Sequence, residues 1–258
     1  ATRGPALELQ GERLKGQLQA VPLGEQAQMA LVAAAAGDEI KLVLVSLQAD
    51  GDINLRSTTQ STGDASTSSS RTTLDRVAAL YVTNPGGTLV ALAGGQLTAQ
   101  GAALHAEGDV QLQALGDIVL GTVTTQARDD ARWDDQNHLN LTERSEIGST
   151  VTAAGRINLQ TGGGITARAA NVQADGDLAL QAGGSVLIEA GERAKAHDEA
   201  HHVESSGWLS SSSTTTRNAA NETQAIASSL GGQTVSIRSD ADTTLVGSNV
   251  IGDQGVSI

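Results

Sequence analysis

The densest set of metal-capable side chains in the sequence is His197-Asp198-Glu199-Ala200-His201-His202. A zinc protease of the H-E-x-x-H type needs a glutamate directly after the first histidine and both imidazoles one helical turn apart. Here the glutamate falls one place late and no helix is predicted around it, so the segment reads as a solvated polar tip and no metal site is assigned. His105 and His138 stand alone. Carboxylates gather at Asp129, Asp130, Asp134 and Asp135, beside Arg128, Arg132 and Trp133. Paired acids are the machinery of glycoside cleavage, but such a site also needs several rings on which sugars stack, and only Trp133 is near. A charged, solvent-facing hairpin that resists edge pairing is the better reading. The Gly-Asp turns lack both the nonapeptide and the acidic twelve-residue loop that hold calcium. Gly162-Gly163-Gly164 runs into Ile165-Thr166-Ala167, without the Lys-Ser/Thr and helix of a phosphate loop. No catalytic residue and no cofactor is assigned.

Trp133 and Trp208 are two of only three aromatic residues, with Tyr81 the third. Each falls outside the regular pattern described below. Because tryptophan buries much surface and is enriched where partners touch, both are candidate partner contacts; the alternative is that each covers the end of a strand pair. The 258 residues hold 29 acidic and 16 basic side chains, net charge −13, which argues against nucleic acid and anionic lipid as partners. Phenylalanine and cysteine are both missing, so the core must be built from Val, Ile, Leu and Ala, and neither a disulfide framework nor a thiolate metal site is possible. No stretch reaches eighteen apolar residues. With no leader segment visible and a last residue falling midway through the pattern, the chain is expected to be a piece of a longer polypeptide.

That pattern is a repeat. Apolar anchors Ile157, Ile165, Val172 and Leu178 are separated by 8, 7 and 6 residues, and Val32, Ile40, Leu47 and Ile53 repeat those gaps. Val90, Leu97, Leu104 and Val110 give 7, 7 and 6, and Val235, Thr243, Val250 and Val256 restore 8, 7 and 6. Many anchors are followed two positions later by another aliphatic, as in Ile157 and Leu159 or Val235 and Ile237, which places both on one face of a short strand. Gly-Asp and Gly-Gly pairs punctuate the strands, with glycine free to take φ > 0 and aspartate able to bond its own backbone. A unit of about 21 residues cannot bury its apolar face alone but can do so as one coil stacked on the next. The predicted fold is all-β, a right-handed parallel β-helix (solenoid) with protruding β-hairpins. Val110, Ile157, Leu178 and Val235 are the expected core, and the narrow interior explains the lack of large rings.

The rhythm breaks at about 56–86, 123–154 and 189–231. Ser or Thr fills 12 of the 17 positions from Ser57 to Thr73, a composition compatible with disorder. Alternation such as Leu139-Asn140-Leu141-Thr142 favours long strand pairs projecting from the coil. Residues 1–258 are thus expected to form a single continuous segment with three projections, and its raw ends to associate with one another.

The string from Glu222 through Thr223-Gln224-Ala225-Ile226-Ala227-Ser228-Ser229-Leu230-Gly231-Gly232, and on through Val235-Ser236-Ile237 to Gly247-Ser248-Asn249-Val250, resembles the filamentous haemagglutinin repeat. Glu204-Ser205-Ser206-Gly207-Trp208 and Thr214-Thr215-Thr216-Arg217 resemble the lead-in of that repeat in contact-dependent growth inhibition effectors and related two-partner-secreted exoproteins. The likeness covers the last third closely and the rest by period. It implies a segment of a long secreted filament, exported through an outer-membrane two-partner secretion transporter to the bacterial cell surface. Its relatives act as adhesins or carry a toxin to neighbouring cells, the later repeats being associated with passage through the target's outer membrane. The piece has no secretion domain, pretoxin motif or nuclease signature, so adhesin and toxin carrier are not separated by it. The expected function is non-enzymatic: to extend the exoprotein and support contact with, or delivery into, a neighbouring cell. The alternatives are a specific carbohydrate- or receptor-binding module and a pectin-lyase-like β-helix enzyme.

Overall fold

The computed structural model describes residues 7–10, 13–16, 21–22, 27–36, 39–64 and 68–258, with side chains from Ser46 onward. The chain enters through β1 (Leu7–Gln10), β2 (Arg13–Gly16), β3 (Val21–Pro22), β4 (Ala27–Ala36) and β5 (Glu39–Ala49). Here the expected coil fails. Strands β4 and β5 run antiparallel, with Val32 opposite Leu44, so Val32 and Ile40 belong to a hairpin that lies where a preceding coil would stack. Eight apolar residues in a row, Met29 to Ala36, carry no face pattern that would separate the two arrangements.

From Leu44 the chain winds as a parallel β-helix, each coil giving three short strands that pair with their copies above and below. Coil 1 uses the end of β5, then β6 (Ile53–Arg56), a hairpin of β7 (Thr58–Asp64) and β8 (Ser69–Arg76), and β9 (Ala79–Val82). Coil 2 is β10 (Thr88–Ala93), β11 (Leu97–Gln100) and β12 (Ala103–Ala106). Coil 3 is β13 (Val110–Ala114), β14 (Ile118–Gly121), a hairpin of β15 (Val123–Arg132) and β16 (His138–Ile147), and β17 (Thr150–Ala153). Coil 4 is β18 (Ile157–Thr161), β19 (Ile165–Arg168) and β20 (Asn171–Ala174). Coil 5 is β21 (Leu178–Ala182), β22 (Val186–Glu189), a hairpin of β23 (Gly191–Ser206) and β24 (Ser211–Ile226), and the start of β25 (Ser229–Ser239). Coil 6 continues through the rest of β25, β26 (Thr243–Val246) and β27 (Asn249–Ser257). The intervals 56–86, 123–154 and 189–231 therefore contain more than projections, because β9, β17 and the start of β25 return to the coil.

Three ladders of stacked aliphatics fill the interior. Leu89, Val110, Ile157, Leu178 and Val235 stand in one column. Ile53, Leu97, Ile118, Ile165 and Val186 form the second, and Leu104, Val151, Val172 and Leu230 the third. All of these are buried, and each fully buried Leu or Ile contributes about 1.5–3 kcal/mol. The column corrects one expectation. Leu89, not Val90, sits over Val110, and Leu89, Ala91 and Ala93 point inward. With Leu89 as anchor, the odd 7, 7, 6 spacing becomes 8, 7, 6 like the others. A slip of one residue exchanges the faces of a strand, and Thr88 to Ala93 is apolar enough on both faces to hide it.

The Gly-Asp corners also differ from expectation. Asp52, Asp109 and Asp117 do not bond their own backbones; each carboxylate accepts an N–H from the coil above, from Gln96, Arg156 and Gly164 respectively, each at 2.7 Å. Stacking at about 4.8 Å brings the neighbouring coil's amide within reach of a short side chain.

Candidate functional site

The three projections are one object. Strands β7 and β8, β15 and β16, and β23 and β24 join as a single six-stranded antiparallel sheet in the order β24-β23-β16-β15-β8-β7. Arg71 lies opposite Ala127 where hairpins 1 and 2 meet, and Glu143 lies opposite Lys195 where hairpins 2 and 3 meet. The fit follows from spacing. Hairpins leave alternate coils, always between the second and third strand, so successive hairpins start about 9.6 Å apart, and a hairpin two strands wide fills that distance.

The plain coils turn this corner tightly. Gly101, Ala169 and Gly247 occupy equivalent positions with φ of 56°, 47° and 56°. Gly101 also lies against hairpin 2, where a Cβ would come within 2.6 Å of Val123. Each hairpin root carries a buried serine that serves these turns. The Ser149 hydroxyl accepts the Ala102 N–H at 3.1 Å and donates to the Ala99 carbonyl at 2.8 Å. In the next equivalent place Ser228 accepts from Ala170 at 2.9 Å and donates to Glu189 at 2.7 Å. Ser57 accepts from Ala78 at 3.0 Å and donates to Gly101 at 2.6 Å. The sequence reading missed all three. Their only signal is a serine directly before a coil strand, for Ser149 and Ser228, or directly after one, for Ser57, hidden among many other hydroxyl residues.

One face of the hairpin sheet carries alternating charge. Arg193 donates to Glu143 at 2.8 Å, with Lys195 at 4.0 Å, and Arg71 lies 3.5 Å from Asp129. The Arg193 hydrogen bond holds the Glu143 carboxyl below its ordinary range. Between these groups runs an open groove of about 430 Å³, lined by Arg71, Asp129, Leu141, Glu143, Lys195 and His197. Further out, Glu199 lies between His201 and His197, 3.3 Å from the His197 Nε2, and hydrogen bonding from His201 is the largest cause that lowers its pKa. On the other face Asp198 accepts two hydrogen bonds of 3.0 Å from Arg217 and faces His138 at 3.5 Å, and the Arg217 pairing lowers its pKa. His138, which looked isolated in the sequence, thus belongs to the junction of hairpins 2 and 3.

The carboxylates considered for sugar cleavage do not converge. Asp129 and Asp130 point to opposite faces of β15, Asp130 pairs with Arg128 and Asp135 with Arg132. Asp134 caps the hairpin turn by accepting the N–H groups of Gln136 and Asn137 at 2.8 and 2.7 Å, together with the Asn137 amide, whose hydrogen bond does most to lower its pKa. Among the described residues no three His, Asp or Glu side chains are arranged to hold a metal ion. Trp133 stacks on His201 across the sheet, ring centres 6.1 Å apart and planes 29° apart, and is 62% exposed. Trp208 is at the tip of the longest hairpin, 98% exposed beside Leu209 at 93%, in a turn closed by a 2.7 Å hydrogen bond from the Gly207 N–H to the Ser210 carbonyl.

No curated protein and no solved structure matches this chain. Its residues 134–258, from the tip of hairpin 2 through coil 6, match the Hemagglutinin repeat family.

Proposed function

We propose that this chain is a structural segment of a secreted, surface-associated bacterial exoprotein of the filamentous haemagglutinin kind, one continuous stretch of a longer rod. Its role is to extend that protein and to hold a wall of hairpins against a neighbouring cell. The single observation that carries this reading is the pairing of an uninterrupted aliphatic ladder with three hairpins merged into one exposed sheet, a geometry suited to reach and contact. The family match over residues 134–258 supports it. The parent would pass through an outer-membrane two-partner secretion transporter. Trp133 and Trp208 are the proposed contact residues, Trp208 because among the described residues nothing covers it, leaving it 98% exposed. Contact-dependent growth inhibition is the finer form of this proposal, in which the rod supports toxin delivery at the target's outer membrane.

Binding of the purified chain to bacterial cells, measured with and without Trp208→Ala, tests the contact role. A hot-spot tryptophan predicts at least about a 30-fold loss of affinity. Equal binding by parent and variant would remove Trp208 from the contact, and no binding by either would leave a passive shaft. A specific carbohydrate-binding module is the second reading, favoured by the Trp133–His201 stack beside the charged groove, and a glycan array decides it.

A further inference from the structure

Strand β24 is the last strand of the hairpin sheet, and among the described residues no strand pairs with its outer side. It is 16 residues long and its pairing with β23 runs from Ser211 to Ile226 without a bulge. It contains no proline, and its only charged residues are Arg217 and Glu222. Natural edge strands are usually short, bulged or rich in charge, because a long regular edge recruits another strand. None of those protections is present here.

The direction of the free groups can be read. Gly207 and Ser210 form a hydrogen-bonded pair at the turn, and antiparallel pairs alternate, so the even-numbered residues of β24 bond to β23 and the odd-numbered ones point their N–H and C=O outward. The same alternation turns the His202 N–H of β23 toward hairpin 2, where the Asn137 side-chain oxygen accepts it at 2.6 Å. The odd-numbered residues from Ser211 to Ala225 are thus a row of open backbone positions.

What fits them is set by the two junctions already made. Hairpin 2 adds to hairpin 1 through β8 and β15, and hairpin 3 adds to hairpin 2 through β16 and β23, both antiparallel and both across two coils. Coil 6 is a plain coil with a tight turn at Gly247. Its strands β26 and β27 are the outer strands of their columns, on the side of coil 5 where β24 is also open. We infer that β24 is a docking edge whose occupant is the first strand of a β-hairpin from a second repeat unit of this same kind, stacked on coil 6 and adding antiparallel to the odd-numbered positions of β24. The hairpin sheet is then a wall that lengthens by two strands for every two coils. This inference rests on the coil and hairpin geometry, not on adhesion, so its failure would leave the contact role standing.

Val256 lies on Val235 as Val235 lies on Leu178, so a second copy of residues 181–258 placed directly after Ile258 continues the register. In this lengthened chain, hydrogen exchange at odd-numbered residues from Thr215 to Thr223 is expected to slow by about 100-fold or more relative to the parent. Ala219→Pro removes one outward N–H without touching a bond to β23, and is expected to return the neighbouring amides to the parent rate. Added coils that are protected while β24 exchanges at the parent rate would overturn the proposal. So would added coils that fail to fold, since coil 5 shows that this sequence stacks in this register.

Discussion

A hydroxyl at each hairpin root, on Ser57, Ser149 and Ser228, both accepts and donates inside the wall of the coil. Removing one leaves a buried N–H and a buried carbonyl without that partner, and each such loss costs about 1–3 kcal/mol. Ser149→Ala is therefore expected to destabilise the chain by that amount, read as a lower urea midpoint with an unchanged slope, whereas Ser210→Ala at the exposed turn should change nothing measurable. The inward residues of β10 offer a second check. Leu89→Ala should cost about 2–5 kcal/mol and Val90→Thr less than about 1 kcal/mol; the reverse order would restore the slipped register. At this scale the sequence is only partly legible. Ile157, Leu178, Val110 and Val235 announce themselves by spacing. The coil-bridging carboxylates of Asp52, Asp109 and Asp117 do not, because their partners lie 44 to 47 residues away in the chain.

Among the elements, the hairpin sheet and the coil differ in what holds them. The buried ladders contain no titrating group among the described residues. The hairpins are laced by carboxylates whose pKa values are lowered: Asp198 by Arg217, Glu199 by His201, and Glu143 by Arg193. A carboxylate with a lowered folded-state pKa contributes stability that is present above its unfolded value and is lost as pH falls through the folded one. Below about pH 4 the hairpin sheet should loosen while the coil persists. Fluorescence of Trp133 in a Trp208→Phe background, followed together with hydrogen exchange in β13 and β18, separates the two. Simultaneous loss in both regions would show that they do not differ. Leu139-Asn140-Leu141-Thr142 made the strand character of hairpin 2 readable, and His197 to His202 proved to lie on a strand. The merging of the three hairpins was not readable, because it depends on the width of a strand pair matching the rise of two coils, a distance no residue type encodes.

For the molecule as a whole, each coil leans on its neighbours, so stability is nearly one-dimensional. Ile157→Asp places an unpaired charge inside the first column between coils 3 and 5, at a cost of several kcal/mol. Its melting temperature should fall by about 10 °C or more, and a change of a degree or less would sink the stacked-column arrangement. The overall solenoid was legible because the 8, 7, 6 rhythm marks its three plain coils, from Leu89, Ile157 and Val235. Its beginning was not, since Val32 and Ile40 keep the rhythm inside an antiparallel hairpin.

The alternation of plain and hairpin-bearing coils also constrains how such a rod can change length. Deleting one plain turn would set two projections a single rung apart and ask four strands to share the width of two. Deleting or duplicating two turns together keeps the spacing of both the shaft and its fin. Length variation in this architecture is therefore governed by parity: the rod can gain or lose turns only in even numbers without tearing the fin.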